Sequence, residues 1–559
     1  MRRWLSLSAM LVAITGVTIF TAASSTRATA VLGPEAAASI KKNAQESHSI
    51  TITPWGPDQQ TVDAAKRKVL SDPLLIKYLN GARHRLLSFE YVDREKVSGR
   101  FLPPEEYRVS IFDYTNNRAL QARGRFDGAG PVEVTEAAYQ PLPDGEEFAE
   151  AVDIVAQDPK FGPAIRNRDV TPYEPMPALV DIDLPPGRVE RTVTVGLMPK
   201  DGSTDHEIVG VNMIKRTVSR YGTGAPATAT INSHSCGIPN AGQSSTSQGT
   251  AGQWQMSISR GGVEIWNMLV IRPSASSGRN SSGIELRNVK YMGKLVLARA
   301  HEPVLNVSYD RNACGPFRDW SWQEGMFQAT GTDVAPGIRL CTSKPTTAID
   351  SGNDSGNFRG VAVYDREEVQ LVSELNAGWY RYISEWYFTD DGRIRPRFGF
   401  GATANGCVCA AHNHHVYWRF DFDVITPEEN SVFELRGGSL GLIEKEVMQL
   451  RQGGPDQRWL VMNNSSGEGV VIEPGPQDGN VNKYGRGDLW LLLNKAAEID
   501  DVNGSSAINI APYVNGETIA RSDLVVWYAA HWNHDHNDTN SKHHGGPARV
   551  GPELILQKY

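Results

Sequence analysis

From residue 254 to the C-terminus, short runs of β-branched and aromatic residues alternate with turn residues over about 300 positions, a period that no helix bundle accommodates. A segment of this kind buries its apolar faces only by stacking antiparallel sheets, so it is expected to form one large β-sandwich. Composition agrees: 53 glycines and 32 prolines supply turns, and sustained heptads are missing, which excludes a coiled coil. The 559-residue chain is too long for one ordinary core, and its 40% apolar content is too high for disorder. The net charge of -8 is spread without a basic block, so nucleic acid is not an expected partner.

Two smaller units precede the sandwich. Residues 61–70 have helical spacing with Val62, Ala65, Val69 and Leu70 on one side, stop near Ser71-Asp72-Pro73, and give way to alternating strands at 107–112 and 119–123. The pattern recurs: a striped helix at 146–156 stops at Asp158-Pro159 and strands follow at 191–197 and 207–213. We therefore expect an α+β, mainly β chain with a first α+β domain at 45–140, a second at 141–225, a Gly/Ser/Thr/Ala-rich linker at 226–253 and the sandwich at 254–559.

At the front, Arg2 and Arg3 precede an apolar run and the small triplet Ala28-Thr29-Ala30, which reads as a secretory signal over 1–30; a signal anchor is the alternative. No later stretch could span a bilayer, so the expected location is secreted, extracellular or periplasmic. Such a compartment permits disulfides, and five cysteines leave at least one outside any pair. Asn280, Asn306, Asn353, Asn463, Asn503 and Asn537 head glycosylation sequons, which matter only in a eukaryotic host.

Chemistry concentrates in the sandwich. His412-Asn413-His414 opens a strand-like run, and residues i and i+2 of a strand share a face roughly 6.5–7 Å apart, close enough for two imidazoles to meet one metal ion. His531, His534 and His536 follow the strand-like 524–530, and a third imidazole from there would complete a copper or zinc site; a solvated His/Asn-rich tail is the plain alternative.

The order of these segments resembles the copper-containing, topaquinone-dependent amine oxidases. Gly378-Trp379-Tyr380-Arg381-Tyr382 is similar to that family's Gly-Asn-Tyr-Asp-Tyr segment, and Trp386, Asp391-Gly392, His412-Asn413-His414 and Asp421-Phe422-Asp423 follow in family order. Asn430-Ser-Val432, Arg458-Trp459 and Val514-Asn-Gly-Glu517 match further segments, and the two α+β units look like the family's small leading domains. The resemblance implies copper held by His412, His414 and His534, beside a Tyr380 oxidised in place to topaquinone. It implies oxidative deamination of a small primary amine by dioxygen, giving aldehyde, ammonia and hydrogen peroxide. Tyr309 is implied as the residue that hydrogen-bonds the quinone, and a homodimer is implied as the assembly. Asp421, Asp423 and Asp523, with carbonyls such as those of Phe422 and Leu524, are implied as a peripheral calcium site, with solvated surface aspartates as the alternative.

Several positions depart from the pattern. Trp379 and Arg381 replace a small polar residue and an acid beside Tyr380. The segment expected to carry the catalytic aspartate is missing; Gln323 falls at its count, and Asp319 or Glu324 is the substitute on offer. A Cys314–Cys341 disulfide is implied by the resemblance, whereas Cys407-Val-Cys409 is unlike the family and reads as a disulfide, a soft copper ligand or two thiols. Three activities follow: an amine oxidase, a copper-binding or interaction protein that has lost oxidation, or another copper enzyme using Cys407 or Cys409 with an unmodified Tyr380.

Overall fold

The computed structural model describes residues 47–94, 96–137, 140–175, 183–184, 188–200, 207–220, 236–239, 252–276, 283–309, 317–319, 323–404, 406–409, 411–451, 456–479, 487–495, 498, 510–534 and 549–559. The expected signal segment lies outside these residues, as do the side chains of Tyr309, Asp319, Gln323, Cys407 and His534. Among the described residues, no helix is long and apolar enough to cross a membrane.

The leading part is α+β. Helix Gln59–Leu70 begins at Asp58, whose carboxylate accepts the Thr61 N–H at 2.8 Å, and helix Pro73–Leu79 begins at Asp72, which accepts the Leu74 N–H at 2.9 Å. These caps satisfy donors that have no intrahelical partner, and Pro73 sits where its missing N–H costs nothing. Both helices lay Val62, Val69, Leu75 and Leu79 on one face of a four-stranded meander, against Tyr107, Val109, Ile111 and Leu120. The other face of that meander, through Leu87, Phe112 and Tyr114, packs on helix Gly145–Gln157 and on Val193, Val195 and Val209 of a second four-stranded sheet. The two units thus share a layer. Within it the fully buried Arg191 donates to Glu147 at 3.0 and 2.5 Å, and the Tyr114 hydroxyl donates to Glu147 at 2.6 Å. Burying such a pair costs least when its polar atoms are hydrogen-bonded, as they are here.

The rest is an antiparallel sandwich. In its first sheet the strands run in the order Ser49–Pro54, Gln253–Arg260, Val263–Ile271, Glu285–Tyr291, Lys294–Tyr309, His412–Phe422, Leu524–His534, Leu489–Leu493. Its second sheet places Val369–Ala377, Tyr380–Thr389 and Arg393–Ala402 side by side. One continuous core fills the space between, with Met256, Trp266, Leu286, Val416, Trp418 and Phe420 from the first sheet meeting Leu371, Tyr382, Trp386, Phe398 and Phe400 from the second. Indoles tie the sheets together: Trp266 Nε1 donates to the Thr389 carbonyl at 2.9 Å, and Trp386 Nε1 to that of Ile284 at 3.1 Å.

Strand Ser49–Pro54 falls in the range expected for the first α+β unit, yet it pairs from Ser49↔Ser259 to Pro54↔Trp254 at the edge of the sandwich. The physical reason is a clasp at its start. His48 Nε2 lies 2.7 Å from Asp390 Oδ1, His48 Nδ1 meets Asp365 Oδ1, and the His48 N–H donates to Asp365 Oδ2 at 3.1 Å. The 236–238 segment of the expected linker is also held: the Ile238 N–H donates to the Ala402 carbonyl at 2.9 Å, and the Ala404 N–H to that of Ile238 at 2.7 Å. Cys236 is disulfide-bonded to Cys409. Two sequons are closed to glycans, because Asn306 and Asn463 are buried in strands.

Candidate metal centre

The site is built by register. His412 and His414 lie two apart on one strand, both buried, with ring centroids 4.8 Å apart. Strand alternation sends Val416, Trp418, Phe420 and Phe422 to the same inner face, where all four join the core. Antiparallel pairing sets Tyr309 opposite His412 on one side and His534 opposite His412 on the other. The three sequence-selected positions are therefore in one row across three strands.

Tyr380 comes from the facing sheet. It is the first residue after a two-residue hairpin turn, Gly378-Trp379, in which Ala377 pairs with Tyr380 and Gly378 has φ +62°. Glycine with positive φ at the first turn position is what a type II′ hairpin requires. The Tyr380 ring is 2% exposed and meets His414 edge-on with centroids 4.9 Å apart; His412 is at 6.1 Å. Tyr382 stacks on it at 5.2 Å and an interplanar angle of 13°. Phe400 stacks on His414 at 4.6 Å, and Trp532 stacks on Phe400 at 5.7 Å. These two rings are site neighbours that the sequence reading did not select, since aromatic residues in strands are ordinary core.

The departures beside Tyr380 acquire a geometry. Arg381 points to the opposite face of its strand, where it is buried and donates to Asp354 at 2.7 and 3.0 Å. Its charge is spent outside the interior that holds the Tyr380 ring. Trp379 lies 5.9 Å from the Tyr380 ring and makes an edge contact with Tyr173 of the second α+β unit at 6.4 Å. Its carbonyl accepts the Thr403 N–H at 2.7 Å, which fixes the turn.

Other expectations are corrected. His531 belongs to the outer face: its Nδ1 lies 2.7 Å from His415 Nδ1 and its Nε2 2.6 Å from Asp488 Oδ1, and burial lowers its pKa. His536 lies outside the described residues. Cys409 is committed to Cys236, which rules out a Cys407–Cys409 bridge and a Cys409 copper ligand; Cys341 carries a free thiol, and its expected partner Cys314 lies outside the described residues. Glu324 is buried and accepts from Arg272 Nε at 2.9 Å and Arg272 Nη2 at 2.5 Å, and from the Ser274 hydroxyl at 3.0 Å, so its carboxyl is engaged in holding the fold. Glu302 is another interior carboxyl, pushed up to about 8 by burial despite hydrogen bonds from Trp418 and Ser384. Trp418 and Ser384 stand four residues along their strands from His414 and Tyr380, roughly 13 Å at strand rise, which puts Glu302 beyond reach of the ring.

Asp421, Asp423 and Asp523 do converge, on the outer face near the far end of the histidine strand. Lys96, from the first α+β unit, fills their centre: its Nζ lies 2.8 Å from Asp421 Oδ1, 3.0 Å from Asp423 Oδ1 and 2.9 Å from Asp523 Oδ1. Burial and the charge of Asp421 push Asp423 up to about 8 and Asp523 to about 6.

No protein-family model and no curated protein matches this sequence. Solved structures do. A lysyl oxidase from Pichia pastoris superposes with a TM-score of 0.55 at 12% identity, covering 95% of this chain and 91% of that one. A copper-containing benzylamine oxidase from Hansenula polymorpha gives 0.52 at 12% identity over 81% and 89%. The fold is that of the copper amine oxidases. An Aspergillus nidulans amine oxidase, at 0.50 and 12% identity over 95% and 90%, adds a third instance of the amine oxidase fold.

For copper, the residues fit. Neutral imidazoles suit that metal, and two are buried on one strand face with a third histidine at the register position opposite. For calcium at the aspartates they do not fit, because an ammonium already occupies the position a metal ion would take.

Proposed function

We propose that the protein is an exported copper- and quinone-dependent oxidase of primary amines, working as a homodimer and releasing aldehyde, ammonia and hydrogen peroxide. The observation that carries this reading is the Tyr380 ring, buried between the sheets and edge-on to His414 with His412 beside it. His412, His414 and His534 would hold copper. Copper supplies the oxygen chemistry, and topaquinone derived from Tyr380 supplies an electrophilic two-electron acceptor. The substrate class follows from the fold's neighbours, since benzylamine and lysyl groups are both primary amines.

The chain's own residues do the positioning. Tyr382, stacked on the ring, resists tilting, and the apolar shell of Phe400 and Trp532 keeps water from the imidazoles. Tyr309, opposite His412 in the sheet, would donate a hydrogen bond to the ring oxygen. Asp319, on a strand paired with Tyr309's own, is the candidate for α-proton removal, because Glu324 is held by Arg272.

A second reading is a copper-binding homologue without amine oxidation, and the engagement of Glu324 favours it. Absorption spectra of the copper-loaded protein in air, before and after phenylhydrazine, separate the two when Tyr380→Phe is run alongside. A visible band that shifts with phenylhydrazine and is missing from the variant supports the oxidase; a colourless protein that binds copper refutes it.

A further inference from the structure

The carboxylate cluster on the outer face carries an inference independent of the amine oxidase reading. Its centre is a three-donor ammonium facing three carboxylates at 2.8–3.0 Å, the spacing of charge-assisted N–H···O bonds. Calcium demands six to eight oxygens at 2.3–2.6 Å. Here the next neighbour is again a donor: Asn494 Nδ2 lies 3.2 Å from Asp421 Oδ2 and 3.1 Å from Asp523 Oδ1. The oxygens a metal would need are already taken by N–H groups.

Lys96 reaches this point because its loop is nailed down on both sides. Before it, Asp93 accepts from Arg287 at 2.7 and 2.8 Å and from Arg299 at 3.1 Å. After it, the Phe101 N–H and carbonyl bond the Asn288 side chain at 2.8 and 3.0 Å, and both guanidiniums lie over the Phe101 ring. Between them, Gly99 has φ +74°, and a Cβ there would stand 2.8 Å from Asp423 Oδ2 and 2.9 Å from Leu295 Cδ2. Only glycine lets the backbone press that closely against the cluster. The ammonium is thus delivered by a loop shaped for it, from a position 325 residues away in sequence.

We propose that Lys96 is the resident cation of this cluster, an internal ammonium that takes the place of a divalent ion and fastens the first α+β unit to the histidine strand. The protein needs no calcium here, and the metal site is recovered when the lysine is removed.

The test uses the full-length protein. Melting of the wild type at fixed copper content is followed in calcium-free buffer and in excess calcium chloride, with calcium uptake measured by titration calorimetry; Lys96→Ala is treated identically. The wild type is expected to melt at one temperature in both buffers and to take up no stoichiometric calcium. Lys96→Ala is expected to bind one calcium with a Kd of about 10⁻³ M or tighter, the range of extracellular modules, and to melt higher with calcium than without. One-to-one calcium binding by the wild type that Asp421→Asn abolishes overturns the proposal, and so does a folded Lys96→Ala that binds none. The wild-type arm needs no variant, and it decides alone if Lys96→Ala does not fold.

Discussion

Raising the pH should undo the clasp at the start of the first sandwich strand. Burial of the His48 ring opposes its protonation, but hydrogen bonds and charge from Asp365 and Asp390 outweigh this and raise its pKa from 6.5 to about 9. Arg260 shares Asp390 with it, and its Nη1 lies 2.5 Å from Asp390 Oδ2. A folded-state pKa above the unfolded one means the stabilisation is complete below pH 6.5 and fades as pH rises through 9. Moving the pKa from 6.5 to about 9 corresponds to roughly 3.4 kcal/mol, and partial solvent screening reduces this to about 2–3 kcal/mol. That difference should multiply the open population of strand Ser49–Pro54 by about 30–150. Hydrogen exchange at Ile50 to Ile52, corrected for intrinsic rates, should rise by that factor between pH 6.5 and 10 in the wild type and stay nearly flat in His48→Gln. Superimposable pH profiles for the two proteins would refute the reasoning.

Other outcomes follow from single contacts. Arg381→Met leaves Asp354 buried without its guanidinium and should cost about 3–5 kcal/mol in urea unfolding, while Arg381→Met with Asp354→Leu recovers much of it. His531→Ala should leave copper stoichiometry, measured by elemental analysis, unchanged, whereas His414→Ala lowers it, because the two histidines occupy opposite faces of their shared sheet. Peptide mapping without reductant should recover Cys236 joined to Cys409, and Cys236→Ser should lose up to about 5 kcal/mol by loop-closure entropy, read as a lower denaturation midpoint.

What was legible in the sequence was what local periodicity encodes. Helices Gln59–Leu70 and Gly145–Gln157 announce themselves by striping and by aspartate caps, and His412 and His414 share a face because the strand period is two. The order of segments also pointed to the fold. What stayed hidden depends on pairing between distant segments. Nothing near Lys96 marks it as the partner of aspartates more than 300 residues on, and an odd cysteine count does not single out Cys236 for Cys409. Arg381 is adjacent to Tyr380 in sequence but not in space, since successive strand residues face opposite ways and its guanidinium goes to Asp354.

The histidine strand is read twice along its length. Its even positions hand His412 and His414 to Tyr380 in the interior, and its odd positions hand Asp421 and Asp423 to Lys96 outside. A slip of one residue would turn Asn413 and His415 inward and swing both aspartates away from the ammonium. Insertions or deletions between 403 and 412 therefore threaten both sites at once, and the tether at one end works as a frame check for the ligands at the other.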